Sequence, residues 1–128
     1  MIFVDTSVWV ETLRSARSLR AAHLRELLDA DQVALSIIVR LELLAGARRS
    51  ERGRLERVLS ALPLYTPSET TWATIATWVE KASDSGERFG IGDLLIGAIA
   101  AEHGGAVWTL DRDFARMAQL GFIRLHIA

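Results

Sequence analysis

Short apolar runs alternate along the chain with longer segments of helical periodicity, the pattern of an α/β domain with a mainly parallel sheet. Ile2-Phe3-Val4 predicts a first strand. Val8 to about Arg14 and Ser18 to Ala30 predict a helical pair, the second carrying Leu19, Ala22, Leu24, Leu27 and Leu28 near helical spacing. Val33-Ala34-Leu35 predicts a second strand, and Ser36 an N-cap for a helix from Ile37 to Ala47. Arg52 to Ala61 predicts a further helix ended by Pro63, Leu64-Tyr65 a short strand, and Pro67-Ser68 the start of a helix through about Ala82. The loop-like stretch SDSGERFGIG leads into an apolar helix from Asp93 to His103, stopped by Gly104-Gly105. Ala106 to Trp108 then predicts a strand, Asp113 to Gln119 a short helix, and Phe122 to Ile127 a final strand. No internal repeat, low-complexity tract or linker divides residues 1–128, so one domain is expected.

Composition supports a packed core. Half of the residues are apolar, and a chain of 128 residues buries roughly two thirds of its unfolded surface. No stretch reaches the ~18 uncharged apolar residues of a membrane span, and no basic region precedes the first apolar run, so a soluble, unexported, cytoplasmic protein is expected. The lack of cysteine rules out disulfides and thiolate zinc sites in this sequence and fits a reducing compartment. His23, His103 and His126 are scattered without ligand-like spacing.

The net charge of -1 excludes a polycation, but Lys81 is the one Lys among fifteen Lys and Arg residues. Arg14, Arg17, Arg20 and Arg25 crowd one segment, and Arg48, Arg49, Arg52, Arg54 and Arg57 another. Guanidinium groups suit bidentate phosphate contacts. Charge runs are also common on ordinary solvated faces, and both readings stand at this point.

The acids carry the candidate chemistry. Asp is depleted in strands, yet Asp5 ends the first apolar run and is followed at once by Thr6 and Ser7. An N-cap for a helix from Val8 would explain it locally. Glu42 is the one charged residue between Leu41 and Ala47, in a helix apolar on nearly every side. A stripe with Arg40 is disfavoured because helix positions two apart do not face each other. Asp93 opens another nearly all-apolar helix, where placement at the positive end of the macrodipole is an adequate local account. Asp111 and Asp113 follow a strand as Asp5 does, in turn and cap positions that Asp favours.

Together these acids say more than each does alone. In a parallel α/β sheet the C-terminal strand ends share one edge, and ligands bind in the crevice outside it. Asp5 and Asp111 follow strands, and helices that follow strands begin at that edge, where Asp93 can join them. Two unit charges about 4 Å apart repel by roughly 4 kcal/mol at an effective dielectric of 20, so such a cluster calls for protonation or a cation. Oxygen donors without Cys or placed His favour Mg²⁺ or Mn²⁺ over Zn²⁺.

Four motifs in order, DTSVW, RLELLAG, GIGDLLIGAIA and WTLDRDF, resemble the PIN-domain family and specifically the VapC toxins of bacterial toxin–antitoxin pairs. The resemblance spans essentially the whole chain. It implies a PIN-like α/β fold with a parallel sheet of about five strands flanked by helices, and a metal-dependent endoribonuclease. Position by position, it carries catalytic roles to Asp5, Glu42, Asp93 and Asp111, and metal ligation to Asp5, Asp93 and Asp111 or the adjacent Asp113. Thr6, Ser7 and Thr109 match hydroxyls that bond to the acids or flank the attacking water. The implied cofactor is Mg²⁺ or Mn²⁺, one or two ions that bind the scissile phosphate and acidify a water, leaving 5′-phosphate and 3′-hydroxyl ends.

The resemblance also implies an RNA substrate, a VapB-like antitoxin laid in a groove near Trp9, Leu13 and Arg14, and a homodimer. Trp72, Ile75 and Val79 share a helix face that suits either the dimer or the core. Arg14, Arg48, Arg49 and Arg52 are the candidate RNA contacts. A PIN nuclease of RNA processing is the nearest alternative. A phosphate-accepting receiver module also places acids at strand ends, but needs an accepting Asp after a middle strand and a partner Lys, and Lys81 precedes a loop. A catalytically idle binding module is a further alternative, weakened by the intact acid set.

Overall fold

The computed structural model describes residues 1–127. Strands β1 (Ile2–Val4), β2 (Val33–Ser36), β3 (Leu64–Tyr65) and β4 (Ala106–Trp108) form one sheet in the order β3-β2-β1-β4. All three pairings are parallel, with Phe3 opposite both Ala34 and Val107. Around the sheet run α1 (Thr6–Arg14), α2 (Leu19–Asp29), α3 (Ile37–Gly46), α4 (Arg52–Ser60), α5 (Glu69–Asp84), α6 (Ile91–Glu102) and α7 (Arg112–Gln119). The fold is the single α/β arrangement that the apolar pattern predicts.

Parallel strands buried on both faces need continuous apolar runs, and β2 is buried at every position. The central helix α6 is buried along Ile96, Gly97, Ala98, Ile99 and Ala100, which explains the lack of charge in GIGDLLIGAIA. Gly97 suits close packing: a Cβ there would lie 3.2 Å from both Ile123 Cγ2 and Met117 Cε, tight enough that both side chains would have to give. Among the described residues, no helix is long and apolar enough to cross a membrane.

Helix starts follow local chemistry. Ser18 and Ser36 cap α2 and α3 by accepting from the Ala21 and Val39 amides, and Ser68 and Thr71 form a reciprocal capping box on α5. Helices α1 and α6 begin two residues earlier than the apolar pattern suggests, at Thr6 and Ile91.

The expected strand at Phe122–Ile127 is instead a single parallel bridge, Val107 with Leu125, held by bonds from the Val107 amide to the Arg124 carbonyl and from the His126 amide to the Val107 carbonyl. Among the described residues the sheet therefore has four strands rather than about five. Consecutive Phe122 and Ile123 are both buried, Phe122 stacking on Trp78 at 4.6 Å, so the backbone turns to pack both side chains instead of alternating them across a sheet.

The strand order places β1 between β2 and β4, with the chain leaving in one direction through β2 and β3 and returning to the other side at β4. Such a reversal opens a crevice at the C-terminal strand ends. The Asp5 amide extends the ladder there by donating to the Trp108 carbonyl at 2.8 Å.

Candidate active site

Asp5 is the buried anchor of the crevice, 5% exposed at the end of β1. It occupies the N-cap position of α1 without capping the helix through its side chain. Its Oδ2 instead accepts hydrogen bonds from Ser7 Oγ (2.7 Å) and Thr109 Oγ1 (2.9 Å). The local explanation by capping is thus replaced by a contact between the ends of β1 and β4. The same hydroxyls accept backbone donors: Leu110 N–H reaches Ser7 Oγ, and Asp111 N–H reaches Thr109 Oγ1, each at 3.0 Å. Ser7 and Thr109 therefore orient the Asp5 carboxylate while fixing the loop that carries Asp111.

Capping does operate at Asp111, whose Oδ1 accepts from the Asp113 amide at 2.9 Å at the start of α7. One carboxylate oxygen from each of Asp93, Asp111 and Asp113 lies within 4.8 Å of the others. Asp93, half-buried in the first turn of α6, has its pKa pushed up to about 6, first by burial and then by Asp111, Asp5, Asp113 and Glu42. The other four acids singled out in the sequence thus all act on the Asp93 carboxylate. Asp5 stands in the same electrostatic neighbourhood but outside the tight trio.

Glu42 is exposed on α3, and its Oε1 accepts from Thr6 Oγ1 at 2.9 Å. The hydroxyls of DTS therefore divide their work, Thr6 holding Glu42 and Ser7 holding Asp5. An all-oxygen donor set of mutually repelling carboxylates fits a hard divalent cation.

Arg116 and Glu87 are features that inspection of the sequence missed. The Arg116 guanidinium donates to Asp113 Oδ1 at 2.7 Å, pairs with Glu87 and lies over the Phe89 ring at 4.9 Å. These bonds, Asp113 first, raise its pKa further and offset part of the cluster's negative charge. The i, i+3 spacing of Asp113 and Arg116 was the available signal.

The structure does not bring every candidate to the acids. Arg14 ends α1, about 12 Å along the helix from Thr6 at 1.5 Å per residue. Arg48, Arg49 and Arg52 lie at and beyond the end of α3, exposed and without an ion pair among the described residues. The helix face containing Trp72, Ile75 and Val79 splits: Ile75 is core, whereas Trp72 and Val79 are 52% and 46% exposed. Trp9, Trp78 and Trp108 are buried, and Leu13 is exposed beside Arg14.

A model of the PIN domain matches residues 2–120. Ribonuclease VapC11 of Mycobacterium tuberculosis is 33% identical over 125 residues, covering 94% of this chain and 93% of that protein. Ribonuclease VapC32 of the same organism is 33% identical over 113 residues, covering 88% and 86%. Among solved structures, FitAcB from Neisseria gonorrhoeae is similar with a TM-score of 0.78 at 24% identity, over 99% of this chain and 97% of that one. VapBC-1 from nontypeable Haemophilus influenzae gives a TM-score of 0.79 at 20% identity, over 98% and 97%. These two structures support the fold, and the sequence matches carry the kinship: the chain belongs to the PIN domain family, among its VapC proteins.

Proposed function

We propose that this protein is a divalent-metal-dependent endoribonuclease acting as the toxin of a VapBC-type pair in the cytoplasm. The observation that carries the reading is the convergence of Asp5, Glu42, Asp93, Asp111 and Asp113 on one crevice, with Asp93 driven to a pKa of about 6. Kinship to proteins named VapC ribonucleases supports the choice of RNA as substrate.

In this reading Asp93, Asp111 and Asp113 hold Mg²⁺ or Mn²⁺, with Asp5 contributing from the floor of the crevice. Such an ion, when bound, neutralises the scissile phosphate and acidifies water at neutral pH. Asp93 must be deprotonated to serve, which its raised pKa still permits at neutrality. Ser7 and Thr109 hold Asp5 Oδ2, which keeps the carboxylate oriented and leaves Oδ1 without a donor among the described residues. Glu42 is fixed by Thr6 at the open side, where it can take a proton from attacking water. A bond forms from that water oxygen to phosphorus as the bond to the 3′-oxygen breaks, and the 3′-oxygen is protonated. The products carry 5′-phosphate and 3′-hydroxyl ends.

Arg14, Arg48, Arg49 and Arg52 are proposed outer contacts to the RNA backbone. The exposed surface at Leu13 and Arg14 is the proposed seat of a VapB-like antitoxin segment, and the exposed Trp72 and Val79 face that of a homodimer contact. Purified protein should cleave RNA in Mg²⁺ or Mn²⁺ but not in EDTA, and Asp93→Asn should be inactive. Inducing the gene should stop growth, whereas inducing Asp93→Asn should not. Cleavage that survives both chelator and substitution would overturn this assignment.

A further inference from the structure

A cleft of about 390 Å³ opens directly beside the acids, sharing Thr109 and Asp111 with them. That volume lies at the small end of sites that take small organic ligands, roughly 300–1,000 Å³. Its other walls are of two kinds. Leu110, Ala115, Leu125 and the buried Trp108 contribute apolar surface to the lining, against which a planar ring can pack. Arg20 and Arg112 supply positive charge at the border. Arg20 is held by Glu11, whereas the exposed Arg112 guanidinium makes no side-chain hydrogen bond or ion pair among the described residues.

The cleft is held by contacts distant in sequence. His126 Nε2 lies 2.9 Å from His23 Nε2, and the two rings are nearly coplanar with centroids 5.2 Å apart. Facing nitrogens in one plane fit a single N–H···N bond, which ties the segment carrying Leu125 to α2. Both rings meet the edge of Trp108.

We propose that this cleft is a nucleotide subsite, taking the base of the residue that flanks the scissile phosphate while Arg112 contacts the next phosphate. The inference rests on the ribonuclease reading and adds to it the place where the cleavage sequence is selected. Continuity with the acids favours RNA as occupant: Asp111 belongs both to the acid trio and to the lining of the cleft, so a phosphate held at the trio stands beside it. Apolar walls with an unpaired guanidinium match a base and its phosphate, and flat apolar contact tolerates any π-face while pocket shape selects among bases.

Ala115 and Arg112 are exposed and outside the acid set, so Ala115→Trp fills the cleft and Arg112→Ala removes the charge with little risk to folding. In EDTA, where cleavage is excluded, both variants should bind a short single-stranded RNA about tenfold more weakly than wild type, the loss expected for one base or phosphate contact. In Mn²⁺, sequencing the cut ends of a random RNA pool should show a base preference beside the cut that Ala115→Trp flattens. Arg112→Ala should raise KM with kcat nearly unchanged.

Wild-type RNA affinity and wild-type preference in both variants would overturn the subsite. Unchanged RNA binding with weakened binding of an antitoxin peptide would also overturn it, by assigning the cleft to a protein segment. Subsite-dependent binding without any cleavage would instead overturn the nuclease reading alone.

Discussion

Asp5 and Thr109 are 104 residues apart in sequence and are joined by a 2.9 Å hydrogen bond from Thr109 Oγ1 to Asp5 Oδ2. The bond couples the ends of two adjacent parallel strands at the point where the loop to α7 delivers Asp111. Thr109→Val keeps the shape and removes the donor. It should lower stability by about 1.5–3 kcal/mol, the range for a lost hydrogen bond to a charged group. It should lower cleavage about 10- to 100-fold, as expected when a group orienting a metal-binding carboxylate is removed. Paired measurements of Tm and kcat check this, and a fall in Tm with unchanged kcat would reduce Thr109 to a structural tie.

Asp93 makes the metal-free protein sensitive to pH. Its pKa rises from 3.8 to about 6 on folding, so between those values the folded state holds a proton that the unfolded chain has released. Stability contributed in this way is present at low pH and is lost as pH rises through about 6. In EDTA, the Tm of wild type relative to Asp93→Asn should therefore fall from pH 4 to pH 6.5 and level off above. Asp93→Asn should be the more stable of the two at pH 7.5, because it removes a charge from a repelling cluster. Equal pH dependence in the two proteins would contradict the assignment.

Protonation of the same carboxylate competes with cation binding. Activity in Mg²⁺ or Mn²⁺ should fall by about tenfold per pH unit below about 6, as one proton blocks one ligand. Raising the metal concentration should shift that limb to lower pH, which a pH profile at two Mn²⁺ concentrations measures.

Arg116 holds Asp113 from behind and is itself braced by Glu87 and the Phe89 ring. Arg116→Ala frees Asp113 and leaves the cluster more negative. Metal affinity is expected to change more than stability, since partly exposed ion pairs contribute little to folding. Isothermal titration with Mn²⁺ alongside a denaturant midpoint separates the two effects.

Packing around α6 leaves little room for added volume at Gly97. A methyl there meets Ile123 and Met117 at 3.2 Å, so Gly97→Ala should cost about 1–3 kcal/mol despite its better helix propensity. Denaturant unfolding checks the sign. A stabilised variant would mean that the Ile123 segment moves aside freely.

The parallel strands were legible in the sequence because burial on both faces demands uninterrupted apolar runs such as Ile2-Phe3-Val4 and Val33-Ala34-Leu35. The acids were legible as a set, because Asp5 and Asp111 follow strands and Asp93 opens a helix, places that a parallel sheet brings to one edge. The fifth strand was misjudged because Phe122 to Ile127 has strand-like composition, while its pairing is decided by the tertiary contacts of Phe122 with Trp78 and of Ile123 near Gly97. The pairing of His23 with His126 links positions 103 apart, and no spacing rule reaches that far. Asp5 and Asp111 also show the limit of local rules. Both follow strands and precede helices, yet one caps its helix and the other turns its carboxylate to two hydroxyls, Ser7 and, from just past the end of the neighbouring strand, Thr109.

The convergence of the acids on a cation is tested most directly by anomalous diffraction from crystals of the protein soaked in Mn²⁺ at pH 7.5. A Mn²⁺ peak bounded by Asp93, Asp111 and Asp113, with Asp5 at its edge and absent from Asp93→Asn crystals, is the expected result. An empty crevice under saturating Mn²⁺, or a peak unaffected by Asp93→Asn, would contradict it.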